Sequence, residues 1–284
     1  MTRIRINSAF LNRNIPLVVC MIFCAAPFLS FAQSPGLKGL VVERYYVSDT
    51  LDSAVSLMPN LPQGSVTYRI FVDMEKGYRF QAVFGSDGHP MRIATSTSFY
   101  NHPVHGNNLA NLIYDASLPS STVMLDSWIS VGAASSVHLG VMKVDDDTVG
   151  NIANKRLALS NKDASAGLPL TERDGLKRIR VGAEMPRVTA LNIDSLLYEL
   201  KNPSSLPQGY AFETENGSWA CIGGSSNETE SGNRVLIGQF TTSGDFSFTL
   251  NLQLGKPGGG YEQYVADKPF GAQLTSSSLK FSSR

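Results

Sequence analysis

Cysteine is scarce in this sequence. Of the three cysteines, Cys20 and Cys24 fall in an apolar stretch near the N-terminus, and only Cys221 lies beyond it. A single remaining thiol excludes an intrachain disulfide framework, so stability must come from a hydrophobic core. We expect Cys221 to be a small buried hydrophobe beside Trp219, because no histidine that would activate a nucleophilic thiol is near it in sequence.

An excess of positive charge is also missing. The chain has 24 basic and 24 acidic residues, and three of the arginines precede residue 33 while no acidic residue does. Residues 33–284 therefore carry 21 basic and 24 acidic side chains, a net charge of −3. Binding to nucleic acid depends on a basic surface, so this balance argues against a nucleic-acid partner.

Long apolar runs are confined to the N-terminus. Three arginines precede the apolar stretch 15–29, which Ser30-Phe31-Ala32 follows. A basic flank, a short apolar core and small residues at the exit are typical of a secretory signal peptide. We expect residues 1–32 to be a signal peptide, with an uncleaved anchor as the alternative. No later run approaches the roughly 20 residues of a membrane span, so we expect an exported mature chain without a transmembrane segment: secreted, at the cell surface or periplasmic.

Catalytic and metal-binding motifs are absent from the sequence, which contains no HExxH, CxxC or Gly-x-Ser-x-Gly. His138 stands apart from the pair His102-x-x-His105, which has Asp87 and His89 upstream. Imidazole is a common zinc ligand, but this spacing in a loop fixes no geometry. We therefore expect solvated loop histidines, no metal and no cofactor.

Acidic residues raise the possibility of a calcium site and that of a glycoside-hydrolase active site. Asp145-Asp146-Asp147 is consecutive, whereas calcium loops place their ligands at alternating positions around a glycine turn, so we expect a solvated loop that folds without calcium. Glycoside hydrolysis needs two carboxylates that face each other, and the sequence pairs none of its candidates. No catalytic residue is therefore predicted. The carboxylates in or near predicted strands are Glu43, Asp73, Asp126, Asp194, Glu213 and Glu215.

The two tryptophans, Trp128 and Trp219, are the candidate ligand-binding residues. An exposed aromatic face can stack on a sugar ring, which would suit a carbohydrate-binding module. The competing interpretation is that both indoles belong to the core, where large aromatics of strands usually lie. Solvent exposure of the two indoles distinguishes these interpretations.

Alternation of apolar and polar residues dominates the middle and the end of the chain. Val66–Met74 predicts a half-buried strand with Thr67, Arg69 and Asp73 on its outer face, and 78–84 predicts the return strand of a hairpin. Near the C-terminus, 234–240 and 246–254 predict a second hairpin, adjacent antiparallel strands of the main sheet. In this hairpin the side chains predicted to point into the core are Phe248, Leu250 and Leu252.

The remaining pattern favours an all-β fold. A helical spacing of leucines predicts one helix at 193–200, ended by Asn202-Pro203. Many short strands between glycine- and proline-rich turns predict a mainly antiparallel β-sandwich or jelly-roll-like fold with at most one or two short helices. The other strand candidates are 40–47, 92–100, 123–131, 137–144, 177–181, 210–214 and 273–281.

No linker rich in proline or serine divides the chain. We expect residues 33–284 to form a single β-rich extracytoplasmic domain, with a split into two subdomains near 165–185 as the alternative. The long polar loops 101–119 and 145–169 are candidates for functional or disordered segments.

Six separate segments carry a family resemblance. They are GLVVERYYVSD, LPQGSVTYRIFVDMEKGYRFQAVFG, IATSTSFYN, VMLDSWISVGAASS, NGSWACIGGSS and NRVLIGQFTTSGDFSFTLNLQLG. In this order, over residues 36–284, the chain resembles an uncharacterised family of secreted β-rich proteins found mainly in Bacteroidota. The family has no assigned activity, so the resemblance implies no catalytic residue.

Export, a β-rich pattern and the lack of a catalytic constellation favour a non-enzymatic module with a structural or adhesive role, secreted or envelope-associated. The expected partners are a glycan or the extracellular matrix. A carbohydrate-binding module is the alternative function, followed by an enzyme that acts on polysaccharide.

Overall fold

The computed structural model describes residues 35–56, 61–120, 122–155, 158–203 and 209–284. The predicted signal peptide, residues 1–32, and its cleavage site lie outside these ranges. Contacts between Cα atoms group Pro35–Arg284 into one unit. Within the described ranges, no helix combines the length and the apolarity needed to span a bilayer.

The described ranges contain seventeen strands and two α-helices. The helices are Thr50–Val55 (α1) and Asp194–Lys201 (α2). The strands are Leu37–Val47 (β1), Val66–Met74 (β2), Arg79–Phe84 (β3), Met91–Thr95 (β4), Trp128–Ile129 (β5), His138–Gly140 (β6), Leu176–Arg178 (β7), Thr189–Leu191 (β8), Tyr210–Thr214 (β9), Ser218–Ser225 (β10), Glu228–Thr229 (β11), Gly232–Thr242 (β12), Phe246–Thr249 (β13), Asn251–Gly255 (β14), Tyr261–Val265 (β15), Leu274–Thr275 (β16) and Lys280–Ser282 (β17).

A central sheet has the strand order β1-β2-β12-β11, and β5 also pairs with β12. Two further sheets face it, in the orders β16-β15-β14-β3-β10-β8 and β17-β13-β4-β9, while β6 and β7 form a small separate pair. The strand pairs are antiparallel, apart from the parallel pair of β15 with β16. The predicted all-β, mainly antiparallel, sandwich-like class is thus confirmed.

The central sheet is buried on both faces. On one face of β2, Ile70 and Val72 pack in a core shared with the two facing sheets and α2. On the other face Phe71 belongs to a second core, and Thr67 and Arg69 are buried beside it. The prediction of a half-buried β2 is therefore wrong, because a distant part of the chain covers its outer face.

That cover is the irregular segment 100–176, which includes both long polar loops. It contains short 3₁₀ turns, such as Val123–Leu125, instead of long strands. Its apolar side chains pack against the central sheet through the second core, so these loops carry structure of their own. The segment's fully or nearly fully buried members include Tyr100, Ala110, Ile113, Leu118, Met124, Ala153, Leu159, Leu170 and Leu176.

Both predicted hairpins are wrong in their pairing. β2 pairs with β1 and β12, whereas β3 pairs with β10 and β14, so the turn at 75–77 carries the chain between layers. Likewise β12 belongs to the central sheet, while β13 pairs with β4 and β17 in a facing sheet. The predicted facing is nevertheless confirmed, since Phe248, Leu250 and Leu252 are at most 2% exposed. Alternation specifies which face is buried but not which strand lies alongside.

The predicted helix is confirmed as α2, which buries Leu196 and Leu200 and ends at Asn202 before Pro203. Helix α1 was not predicted. Its signal is a capping box. The Asp49 side chain accepts a hydrogen bond from the Asp52 backbone N–H, and the Asp52 side chain accepts one from the Asp49 backbone N–H. Of the other strand candidates, 210–214 matches β9, whereas 123–131 yields only the two residues of β5.

Candidate functional site

Both tryptophans are core residues. Trp128 is 2% exposed and packs in the second core, and Trp219 is 1% exposed and packs in the first. A buried indole presents no face to a sugar, so the ligand-binding assignment of Trp128 and Trp219 is corrected. Cys221 is buried in the same core as Trp219, as predicted, and burial raises the pKa of its thiol.

The histidines are not all solvated, which corrects the prediction from the loop spacing. His102 is only 3% exposed, and its Nδ1 accepts hydrogen bonds from the backbone N–H groups of Val104 and His105. Burial, followed by the nearby His105, lowers the pKa of His102. His138 is also buried, with its Nδ1 2.9 Å from Asp115 Oδ1. These contacts hold the loop backbone in place.

The three consecutive aspartates have three different environments. Asp145 lies 3.0 Å from Arg234 in an ion pair. Asp146 is 4% exposed, and its two oxygens accept hydrogen bonds from the N–H groups of Thr148 and Gly175. Only Asp147 is exposed, so the expectation of a solvated loop is wrong for the first two aspartates.

Sequence inspection did not find a polar cluster beneath the irregular segment. The guanidinium of Arg69 lies over the ring of Tyr45, and its Nε donates to Gln239 Oε1 at 2.7 Å. Its Nη1 donates to the carbonyl of Gly175 at 3.1 Å. One buried arginine therefore joins β1, β2, β12 and the end of the irregular segment.

Lys143 extends the same cluster. Its Nζ donates to the carbonyl oxygens of Tyr45, Ala166 and Leu168 at 2.7, 2.5 and 2.7 Å. Burial lowers the pKa of Lys143 to about 8, although Glu43 opposes this shift. Burial likewise raises the pKa of Glu43, whose Oε1 accepts the Lys143 backbone N–H. These charged groups bind backbone atoms and fasten the irregular segment to the sheet.

The other carboxylates singled out from the sequence are dispersed. Asp126 is fully buried, which raises its pKa well above the usual range, and its Oδ1 accepts the His102 N–H at 2.7 Å. Asp73 pairs with Arg234, and Glu213 lies 3.6 Å from Arg92. None of these carboxylates lines the groove at the edge of the six-stranded sheet or the groove beside β11.

A groove of about 630 Å³ lies at the edge of the six-stranded sheet, and we call it the edge groove. Residues 184–189 form one wall, and residues of 221–226 with Arg79 form the other. Its volume falls within the usual range of roughly 300–1,000 Å³ for small-ligand sites.

A bulge in β10 opens this groove. β10 pairs with β8 only over Ser218–Ala220, and its register against β3 is interrupted between Ala220 and Ser225. Gly223 and Gly224 have φ angles of +80° and +71°, a region that favours glycine. A Cβ on Gly224 would also lie 2.9 Å from Arg79 Cβ. The glycine pair therefore lets the chain swing out and leaves a recess behind it.

The polar groups of the edge groove are mostly hydrogen-bond donors. Arg79 is exposed, and its Nη2 donates to the carbonyl of Gly224 at 3.1 Å, which fixes the position of the guanidinium. Arg187 is exposed on the opposite wall and Glu184 is the one acidic residue of the lining. Ser225 is 5% exposed, yet its hydroxyl finds no nitrogen or oxygen partner in the described part of the chain.

A second groove of about 600 Å³ lies beside β11 and the end of β2. Three of its five charged side chains are engaged, since Lys38 lies 3.6 Å from Glu75, and Glu228 accepts the Gly77 N–H at 2.9 Å. The other two, Lys76 and Glu230, have opposite charges, whereas the edge groove has an excess of positive charge, and we take the edge groove as the candidate for binding.

No group of three or more histidine, cysteine or acidic side chains in the described ranges is arranged to hold a metal ion. Comparison of the chain with protein-family models, with curated proteins and with solved structures finds no match. The resemblance to the Bacteroidota family therefore stays a prediction.

Proposed function

We propose that the protein is an exported, secreted or envelope-associated, non-enzymatic β-sandwich protein with an adhesive role, and that it binds its partner through the edge groove. One observation carries this proposal: a buried hydroxyl without a nitrogen or oxygen partner, Ser225, and an oriented guanidinium, Arg79, line one groove. Within the described residues, the Ser225 hydroxyl has only the Cys221 thiol, a weak acceptor, as a partner, so a stronger acceptor on a ligand in the groove is favoured.

The contacts of three groups with shifted pKa values support a binding role over a catalytic one. Lys143 donates to backbone carbonyls, and Asp126 and Glu43 each accept a backbone N–H. Shifted pKa values also arise in structural networks, and each of these three groups binds the backbone of another segment of the chain. A scaffold fastened in this way presents a rigid surface, which suits adhesion.

Glycans and extracellular-matrix proteins are the proposed partners. A carbohydrate ligand, the alternative function, is supported by the hydroxyl and guanidinium donors of the edge groove and no longer by the tryptophans. The export part of the proposal is supported by the basic flank, apolar core and small-residue exit of residues 1–32.

The test is a binding screen of the mature protein, residues 33–284, against a glycan array and a panel of matrix proteins. A double variant, Arg79→Ala with Arg187→Ala, removes the charged donors of the edge groove. Arg180→Ala is the matched control, because Arg180 is exposed and lies outside that groove. We expect at least one ligand whose binding falls in the double variant and persists in the control. Ligands that bind all three proteins equally, or no ligand at all, would contradict the proposal.

A further inference from the structure

The charged residues that line the edge groove restrict the chemical class of ligand that it can bind. Two of its residues are arginines, Arg79 and Arg187, against one acidic residue, Glu184. The rest of the chain from residue 33 has a slight acidic excess. The groove is thus a local concentration of positive charge on a protein whose overall charge points the other way, and so it does not follow from bulk composition.

The two arginines are available to a ligand. The described residues give Arg187 no ion pair, and Arg79 is held only by the contact of its Nη2 with the Gly224 carbonyl. A guanidinium held by one of its N–H groups keeps the others directed outward as donors. Arginine forks match the two oxygens of a carboxylate or the oxygens of a sulfate ester.

A third donor lies deeper in the groove. The Ser225 hydroxyl is buried behind the bulge with no nitrogen or oxygen partner in the described chain, and it is hydrogen-bonded to the thiol of Cys221, which is only a weak acceptor. The charge of Arg79 reaches this depth, because it lowers the pKa of Cys221 against the larger effect of burial. The positive charge of Arg79 at this depth favours an oxygen anion in the groove.

We propose that the edge groove binds an anionic group, the carboxylate or sulfate ester of an acidic polysaccharide, between Arg79, Arg187 and Ser225. This inference rests on the proposed binding function and assigns its ligand class. A polymer chain that lies along the groove, between residues 184–189 and the bulge of β10, brings its successive acidic groups to the same donors.

The experiment measures binding of the mature protein to polygalacturonate and dextran sulfate, with neutral galactan and dextran as uncharged counterparts. The two acidic polymers distinguish carboxylate from sulfate ester as the source of the anion. We expect binding to at least one acidic polymer at low ionic strength, weakened at least about tenfold in 0.5 M salt. Arg79→Gln and Arg187→Gln should each weaken it about tenfold, whereas Arg180→Gln should not.

Ser225→Ala gives an independent readout. Because the partner of this hydroxyl in the described chain is the weakly accepting Cys221 thiol, its removal should change the melting temperature little while it weakens binding. Binding of neutral galactan or dextran that depends on the same arginines would overturn the anionic assignment and leave the binding function intact. Acidic-polymer binding that is equal in all variants would overturn the assignment as nonspecific. If no ligand of either screen bound through the groove, both the proposed binding function and its anionic ligand class would be overturned.

Discussion

The guanidinium carbon of Arg69 lies 3.5 Å from the centre of the Tyr45 ring, and both side chains are fully buried. Arginine stacks on aromatic faces through its weakly hydrated planar group, so this contact keeps a charge inside the molecule. Its N–H groups reach Gln239 and the Gly175 carbonyl. The contact therefore stabilises the junction between the central sheet and its irregular cover.

Replacing Arg69 with alanine should be strongly destabilising. The change leaves a cavity and removes donors from Gln239 Oε1 and the Gly175 carbonyl, so we expect a loss of at least about 3 kcal/mol in the free energy of unfolding. Arg180→Ala, at an exposed site, should cost within about 0.5 kcal/mol. Urea denaturation of both variants measures the difference, and equal costs would show that the Arg69 cluster contributes little.

Local periodicity explains what the sequence could predict. The facing of Leu250 and Leu252, strand β9 and helix α2 all follow from spacings within ten residues. The burial of the outer face of β2 could not be predicted, because the partners of Arg69, Gln239 and the Gly175 carbonyl, lie far from it in the sequence. Hydropathy along a strand does not report a cover made by a distant, irregular segment.

The edge groove illustrates the same limit. Its walls join residues 184–189 to 221–226 and Arg79, three regions that no local pattern connects. One signal was present in the sequence: Gly223-Gly224 interrupts a strand pattern, and glycine inside a strand often marks a bulge. That signal locates the bulge but not the arginines that the fold brings beside it.

Lys143 should make stability depend on pH in the alkaline range. Its pKa falls from 10.5 to about 8 on folding, so between these values the unfolded chain binds more protons than the folded one. Stability contributed by this group therefore rises as the pH increases from about 8 towards 10.5. Lys143→Met removes the titrating amine, so the cost of this substitution should grow across that window.

The measurement is the free energy of unfolding in urea at pH 7, 8, 9 and 10 for wild type and Lys143→Met. Lys162→Met is the control, because Lys162 is exposed. A cost of Lys143→Met that is constant between pH 8 and 10 would show that the lysine keeps its proton in the folded state.

Asp146 and Asp147 form a matched pair for the acidic loop. Asp146 is buried and accepts N–H groups of Thr148 and Gly175, whereas Asp147 is exposed. Asp146→Ala should lower stability by about 1–3 kcal/mol because the buried Gly175 N–H and the part-buried Thr148 N–H lose their acceptor. Asp147→Ala should cost within about 0.5 kcal/mol.

Differential scanning calorimetry with and without a chelator should give the same melting temperature for wild type, and a large drop on chelation would reveal a calcium site.

The predicted signal peptide gives a test of export. Cleavage after Ala32 should leave a mature chain that begins at Gln33. N-terminal sequencing and intact mass of the exported protein check this position. A mature chain that retains Met1 would contradict cleavage and favour an uncleaved anchor.

Leu250 and Thr249 test the facing of the strand that changes sheets. Leu250 lies between β13 and β14, is fully buried, and packs in the first core, while Thr249 is half-buried on the opposite side. Truncating a buried leucine to alanine typically costs about 2–5 kcal/mol, because transfer free energy is lost and a cavity remains. We expect Leu250→Ala to fall in this range.

Thr249→Ala is the matched control and should cost within about 1 kcal/mol, since its side chain adds little to the core. The strand pairs with different neighbours on the two sides of Leu250, β4 and β17 before it and β3 and β15 after it. A slip of one residue would break both sets of pairs and expose the apolar face. The direction in which the side chains of this strand point and its passage from one facing sheet to the other therefore depend on the same register. If Thr249→Ala proved as costly as Leu250→Ala in urea denaturation, the facing of this strand would be wrong, and with it the crossover that joins the two facing sheets.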